Sequence, residues 1–239
     1  MLKQVTQRVL RLFGFRLVRV PRQSFWDAGV KIEGLPEYPD LETIIDVGVA
    51  GGTPWLYAAY PKQNLLLVEP LNVVDSLNNL IKDRDYEMFE CAVGAAEGEI
   101  EIAYDMTMPA RSSVNARTEL TENRTHTVVK RTVPLRTLDS LVAESRFGSG
   151  RLGLKIDAEG FELEILKGAT ETLARTDFVV CEVSAAKRFE DSYDFSELIV
   201  YLHSMGFAVS RILHAMPDGN GIIRFADLLF ERRAATSSK

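Results

Sequence analysis

From residue 43 onward, short apolar runs alternate with stretches of helical period. Runs at 43–48, 64–69, 86–93, 152–157, 177–183, 207–214 and 226–231 read as strands. Stretches at 54–60, 72–82, 138–144, 160–174 and 194–205 read as helices. Ile44, Ile45 and Val47 suit a strand covered on both faces. Strands separated by single helices demand crossover connections, hence a mostly parallel sheet with helices on both faces. Two segments break the rhythm: 98–104 and 127–135 alternate like half-exposed strands, and the polar stretch 105–126 between them reads as a loop. The last two strands are joined by the turn residues Pro217 to Gly221, which predicts a closing antiparallel hairpin. The predicted fold is a single Rossmann-like α/β domain over 43–233, with a seven-stranded mostly parallel sheet and an extra β insertion around 98–135. A basic arm and lead-in (1–42) precede it, and a disordered tail (234–239) follows.

Composition narrows the class. The 239 residues fit one large domain, and 46% hydrophobic with 26% charged residues is ordinary for a soluble protein. No apolar run approaches the length of a bilayer span. Cys91 and Cys181 each sit in an apolar strand-like run and read as buried reduced thiols, which points to the cytoplasm. Charge is uneven: residues 1–26 carry Lys3, Arg8, Arg11, Arg16, Arg19 and Arg22 and no acid, although acids outnumber bases 34 to 28 in the whole chain. The acidic body argues against a nucleic-acid partner. In the arm, Leu2, Val5, Val9, Leu12 and Phe13 recur at helical spacing. Such an arm could pack on the acidic body, lie peripherally on a membrane through residues 1–22, or serve as a transit peptide. The sequence sets no oligomeric state.

The first chemical signal is the glycine turn that ends the 43–48 run. Gly48, Gly51 and Gly52 let the chain bend sharply and let a ligand approach the backbone. Thr53 and Pro54 suit N-cap and first helical position. Glu69 ends the next strand, about 20 residues beyond Asp46, where a nucleotide's ribose hydroxyls are caught in such folds. The pattern describes a nucleoside site.

The second signal is the segment 152–160. Alternation places Lys155, Asp157 and Glu159 on one face of a strand end. Buried charges there are expensive unless they line the crevice in which open α/β sheets bind ligands. The plain alternative is a structural ion pair, with Glu159 and Glu162 flanking the next helix N-terminus. Glu182 adds a third carboxylate to the same edge, so a divalent cation such as magnesium is a further option. No His or Cys cluster has zinc-ligand spacing. His126, His203 and His214 are scattered; His203 reads as packing or surface, and His126, in the polar loop, is a weak catalytic candidate.

Asp46-Val-Gly48-x-x-x-Gly52, Val-Glu69-Pro70, Arg136-Thr-Leu138-Asp139 and Leu-Lys155-Ile-Asp157-x-Glu159-Gly160-x-Glu162 with Leu166-Lys-Gly168-Ala follow one another in order. In order and spacing they resemble the FkbM family of S-adenosylmethionine-dependent methyltransferases, over roughly 43–183. The resemblance implies a class I methyltransferase fold, with the cofactor S-adenosylmethionine over the carboxyl edge of the sheet. It implies that Asp46, Gly48 and Gly52 form the methionine and ribose side of the pocket, and that Glu69 binds the ribose hydroxyls. Cys91-Ala92 would lie near the adenine, and Ser112-Ser113 against cofactor or substrate. This chain has Val49-Ala50 where the family often has Ala-Asn.

The expected activity is O-methylation of a hydroxyl on a sugar, glycan or other small metabolite. Asp157 or Glu159 would be the general base and Lys155 the partner that keeps a carboxylate ionised. Two alternatives stand beside it: an NAD-dependent oxidoreductase and a non-catalytic nucleoside-binding scaffold. The first is disfavoured because Ala50 breaks the Gly-x-Gly-x-x-Gly pattern.

Overall fold

Strands β1 (Leu41–Val47), β2 (Asn64–Val68) and β3 (Tyr86–Phe89) run parallel and side by side, as their continuous apolar runs demand. They belong to a computed structural model that describes residues 35–71, 74–106, 112–118, 128–218 and 220–233. The expected basic arm, His126 and the tail lie outside the described residues. Beyond β1 the sheet continues through β7 (Arg151–Ile156), β8 (Thr176–Ser184), β10 (Ile223–Arg232) and β9 (Phe207–Pro217). Its order, β3-β2-β1-β7-β8-β10-β9, is parallel except for β10, which runs against both neighbours and forms the expected hairpin with β9.

Each face buries its own core. Helices α1 (Pro54–Ala59) and α2 (Val74–Ile81) cover one face, where Ile44, Leu65, Leu67, Phe178 and Leu229 meet Trp55, Leu56 and Leu77. The lead-in joins them: Tyr38 stacks on Phe178 at 5.4 Å, as does Tyr60 at 5.2 Å, and the Tyr38 hydroxyl donates to Glu231. Helices α3 (Leu138–Glu144), α4 (Glu162–Lys167), α5 (Thr170–Ala174) and α6 (Phe195–Ser204) cover the other face, against Ile45, Leu66, Leu154 and Cys181. Ile44 and Ile45 point to opposite faces and both are fully buried, each stabilising the fold by about 1.5–3 kcal/mol.

Two segments differ from the sequence pattern. The 86–93 run is two strands, because β3 ends at Phe89 and the short β4 (Ala92–Val93) turns into another sheet. That sheet, β4-β6-β5, contains the two half-exposed strands β5 (Gly98–Asp105) and β6 (Val128–Arg136). The helix expected at 160–174 is also two, α4 and α5, broken at Gly168 and Ala169. A Cβ on Gly168 would stand 2.0 Å from the Gly94 carbonyl oxygen, so the chain passes too close to β4 for a continuous helix with side chains there. Cys91 and Cys181 are free and buried. No described helix is long and apolar enough to cross a membrane.

Candidate active site

The glycine turn brings the carboxyl ends of β1 and β7 together. Gly48 has φ +76°, and a Cβ there would lie 1.8 Å from the Asp157 carbonyl oxygen, so only glycine fits. Gly52, at φ +93°, closes the turn onto Leu77 and Leu80 of α2. Between them Ala50 is also left-handed, at φ +44°, a conformation that costs an L-residue about 1–2 kcal/mol. Thr53 occupies the N-cap position before Pro54, but its hydroxyl does not cap the helix. It donates instead to Asp46 Oδ2 at 2.7 Å, which corrects the expected cap.

Asp46 is a hub beneath this turn. The Tyr57 hydroxyl joins Thr53 on Oδ2 at 2.6 Å, while Oδ1 faces the Lys155 ammonium at 3.0 Å. Lys155 also donates to the Gly48 carbonyl at 2.8 Å. Burial works against its charge, but Asp46 and Asp157 outweigh it and hold the ammonium above its ordinary range. Asp46, expected beside a cofactor, is fully buried and walls neither of the two cavities at this edge.

The first cavity, about 180 Å³, lies over the ends of β1 and β2. Glu69 forms its polar end, Ala92, Val93, Ile102 and Phe161 its apolar walls, and Gly48 and Ser113 also line it. Glu69 is held by two backbone amides: Ala50 N–H donates to Oε2 at 3.0 Å and Leu71 N–H to Oε1 at 3.2 Å. Burial still raises its carboxyl above the usual range. Ser113 sits in a backbone bridge to Ala103 of β5 and donates its hydroxyl to the Asn115 carbonyl at 2.5 Å.

The second cavity, about 270 Å³, opens under the glycine turn over β7, β8 and β10. Its charged lining is Lys155, Asp157, Glu182 and Asp227, with Phe225 beside them. Ala50, Asp157 and Glu182 wall both cavities and mark the junction. At the junction the acids differ in how they are engaged. Glu182 takes Arg188 at 2.5 Å, and Glu159 takes Arg188 at 2.9 Å and Arg117 at 3.2 Å. The Asp157 carboxylate accepts no hydrogen bond from the described residues; the Lys155 ammonium lies 3.9 Å away, and the side chain is 39% exposed.

The loop carrying Glu159 is fixed from inside. Glu162 Oε1 accepts the Ala158 and Gly160 amides, each at 3.0 Å, and Oε2 accepts the Tyr193 hydroxyl at 2.7 Å. Burial pushes its carboxyl up to about 6. Above the loop, Arg117 and Arg188 both lie against Phe189, and main-chain bonds Thr118 N–H to Arg188 O and Glu190 N–H to Ala116 O tie two segments into one strap.

The sequence-marked acids Glu69, Asp157, Glu159 and Glu182 thus come together around one junction, with Gly48, Ala92 and Ser113. Among the described residues no group of three or more His, Cys, Asp or Glu side chains is placed to hold a metal ion, so the magnesium option gains no support. Guanidinium groups already stand against Glu159 and Glu182. Sequence reasoning missed Arg117, Arg188 and Asp227, and it left His214 among scattered histidines. His214 in fact meets Asp227 at 3.1 Å across the hairpin. The available signal was an acid inside the apolar run of β10, on the face shared by Phe225 and Leu229.

The model of the methyltransferase FkbM domain matches residues 46–209. The chain belongs to the FkbM methyltransferase family. The match begins at the hub aspartate and takes in the glycine turn, Glu69, the Lys155–Glu162 segment and Arg188; it stops short of His214 and Asp227. Solved methyltransferases are similar to the chain at low identity. Magnesium protoporphyrin IX methyltransferase from Synechocystis PCC 6803, with bound S-adenosylmethionine, is 7% identical over 81% of this chain and 71% of its own, with a TM-score of 0.42. A TehB-like S-adenosylmethionine-dependent methyltransferase from Corynebacterium glutamicum is 11% identical over 97% of both chains, also at 0.42. The N-terminal domain of EvdMO1, solved in the presence of S-adenosylhomocysteine and D-fucose, is 10% identical over 98% of both, at 0.41. No curated protein matches the chain.

Proposed function

We propose that this FkbM domain is an S-adenosylmethionine-dependent O-methyltransferase acting on a hydroxyl of a sugar, glycan or other small metabolite. The observation that carries the reading is the Asp157 carboxylate, which faces the junction of both cavities and, unlike Glu69, Glu159 and Glu182, accepts no hydrogen bond from the described residues. The first cavity fits a donor nucleoside: a two-oxygen acceptor at one end, presented by backbone amides, and an apolar slot beyond it. Glu69 accepts the ribose hydroxyls, and Ala92, Val93 and Phe161 take the base. When bound, S-adenosylmethionine supplies a methyl group activated on its sulfonium, which the acceptor oxygen attacks as the methyl–sulfur bond breaks.

Asp157 removes the proton from that oxygen, a contribution of about 10²–10⁴ in rate. Lys155 anchors the strand end that carries it, through Asp46 and the Gly48 carbonyl. Glu159, with two arginines on one oxygen, holds the strap above the junction and takes no proton. Two measurements test the reading. Calorimetry should show binding of S-adenosylmethionine and none of NAD. Incubation with a metabolite extract should give a product 14 Da heavier that disappears with Asp157→Asn. Binding of NAD alone would point to the oxidoreductase, and donor binding without any methylated product to a scaffold.

A further inference from the structure

His214, Asp227 and Glu182 belong to the neighbouring strands β9, β10 and β8 and line up across one face of the sheet, and Asp157 lies just past the end of β7 beside them. Asp227 lies directly opposite Glu182 on β8 and opposite His214 on β9. Like charges directly opposite in an antiparallel pair are destabilising. An acid within the buried run Ala226 to Phe230 is itself expensive. A chain selected only for stability would carry an apolar residue there. Both acids are instead provided for from outside the pair, Glu182 by Arg188 at 2.5 Å and Asp227 by His214 at 3.1 Å. Asp227 is 4% exposed, and what it does show faces the second cavity. His214 engages Oδ2, while Oδ1 accepts no hydrogen bond from the described residues.

We infer that Asp227 is an acceptor-binding carboxylate of the second cavity, and that the acceptor is a small polyol with one hydroxyl at Asp157 and another at Asp227. The inference rests on the methyl-donor reading above and adds the second contact. A carboxylate accepts hydrogen bonds and donates none, so it selects hydroxyl or ammonium donors. A polyol is favoured over an ammonium because Lys155 already lines this cavity and Arg188 stands against Glu182, so a further cation would meet two cationic groups. Asp157, just past β7, and Asp227 on β10 lie two strands apart, about 9–10 Å between backbones, a span on the order of one sugar ring with its hydroxyls, with Glu182 on the strand between them. Phe225 adds an apolar ring to the same wall, with the Arg188 guanidinium over it at 4.3 Å. His214 is the positioning residue, fixing which oxygen of Asp227 turns inward. Both residues fall beyond the region that the family model matches.

The test uses the full chain, S-adenosylmethionine and a panel of free pentoses and hexoses, each paired with its monodeoxy analogues, with methylated product read by mass. The wild type should methylate at least one sugar and disfavour one of its deoxy analogues by about 10–100-fold in kcat/KM. Asp227→Leu, similar in shape and apolar, should lose that discrimination through KM while donor affinity by calorimetry stays within about twofold. His214→Gln should lose part of it. Retained discrimination in folded Asp227→Leu overturns the inference, and so does a matching loss of donor affinity, which would move Asp227 into the donor pocket. A wild type that binds the donor but methylates no sugar overturns the polyol and leaves the donor reading standing. A wild type that binds no donor removes both.

Discussion

On the β2 side of the strand-end edge, Glu69 is presented by the Ala50 and Leu71 amides, both within a short stretch of chain. On the β7 to β8 side, Glu159 and Glu182 are presented by guanidinium groups from other segments, Arg117 and Arg188. Backbone amides cannot be mutated away and carry no net charge, so the first arrangement is robust and its acid stays open to a neutral hydroxyl pair. Cationic side chains neutralise what they hold, so the second arrangement withdraws acids from chemistry and leaves Asp157 exposed among them. Two physical means of fixing a carboxylate thus set the proposed donor-binding acid apart from the proposed base along one edge.

Substitutions can break that division. The largest expected effect is on Asp157: Asp157→Asn should lower turnover by about 10²–10⁴ with donor affinity unchanged, measured by methyl transfer and calorimetry side by side. Near-wild-type turnover would remove it as the base. Next comes Arg188. Arg188→Met leaves Glu159 and Glu182 with less countercharge, and unfolding in urea should show a loss of about 3–5 kcal/mol. Adding Glu159→Gln and Glu182→Gln should recover much of it; no recovery would mean that Arg188 acts through packing on Phe189 and Phe225. Glu69→Ala should weaken donor binding by about 1.5–3 kcal/mol in calorimetry while leaving saturated turnover largely intact. Equal loss in both would place Glu69 in the chemistry.

The smallest effect concerns Ala50. Glycine relieves the left-handed strain of about 1–2 kcal/mol but adds flexibility worth about 0.5–1 kcal/mol to the unfolded chain. Ala50→Gly should therefore raise stability by about 0.5–1 kcal/mol in a thermal melt, and a decrease would show that the φ of +44° carries no strain.

The same contrast explains what could be read before any coordinates. Ile44 to Val47, Gly48 and Glu69 act within their own element or across one turn, and their periodicity and spacing announce them. The sheet, its closing hairpin and the insertion strands were legible for the same reason. Strand β4 was not, because a continuous apolar run does not say where its residues change sheets. The partners of Glu159, Glu182 and Asp227 were hidden more deeply. Arg117 lies in a polar loop, Arg188 in an irregular segment and His214 on an edge strand, and only the fold brings them to the acids. Thr53 shows the limit of local rules: a residue suited to cap a helix spends its hydroxyl on Asp46.

The strap that joins residues 112–118 to 186–190 bears on how such an enzyme can be altered. Its two halves share main-chain bonds, a bridge between Arg117 and Phe189, and Glu159 as a common counterion. Swapping either half alone leaves unmatched backbone donors and a stranded charge beside the junction. Transplants between homologues would have to carry both segments as a single cassette, and substitutions in one half should be inherited together with changes in the other.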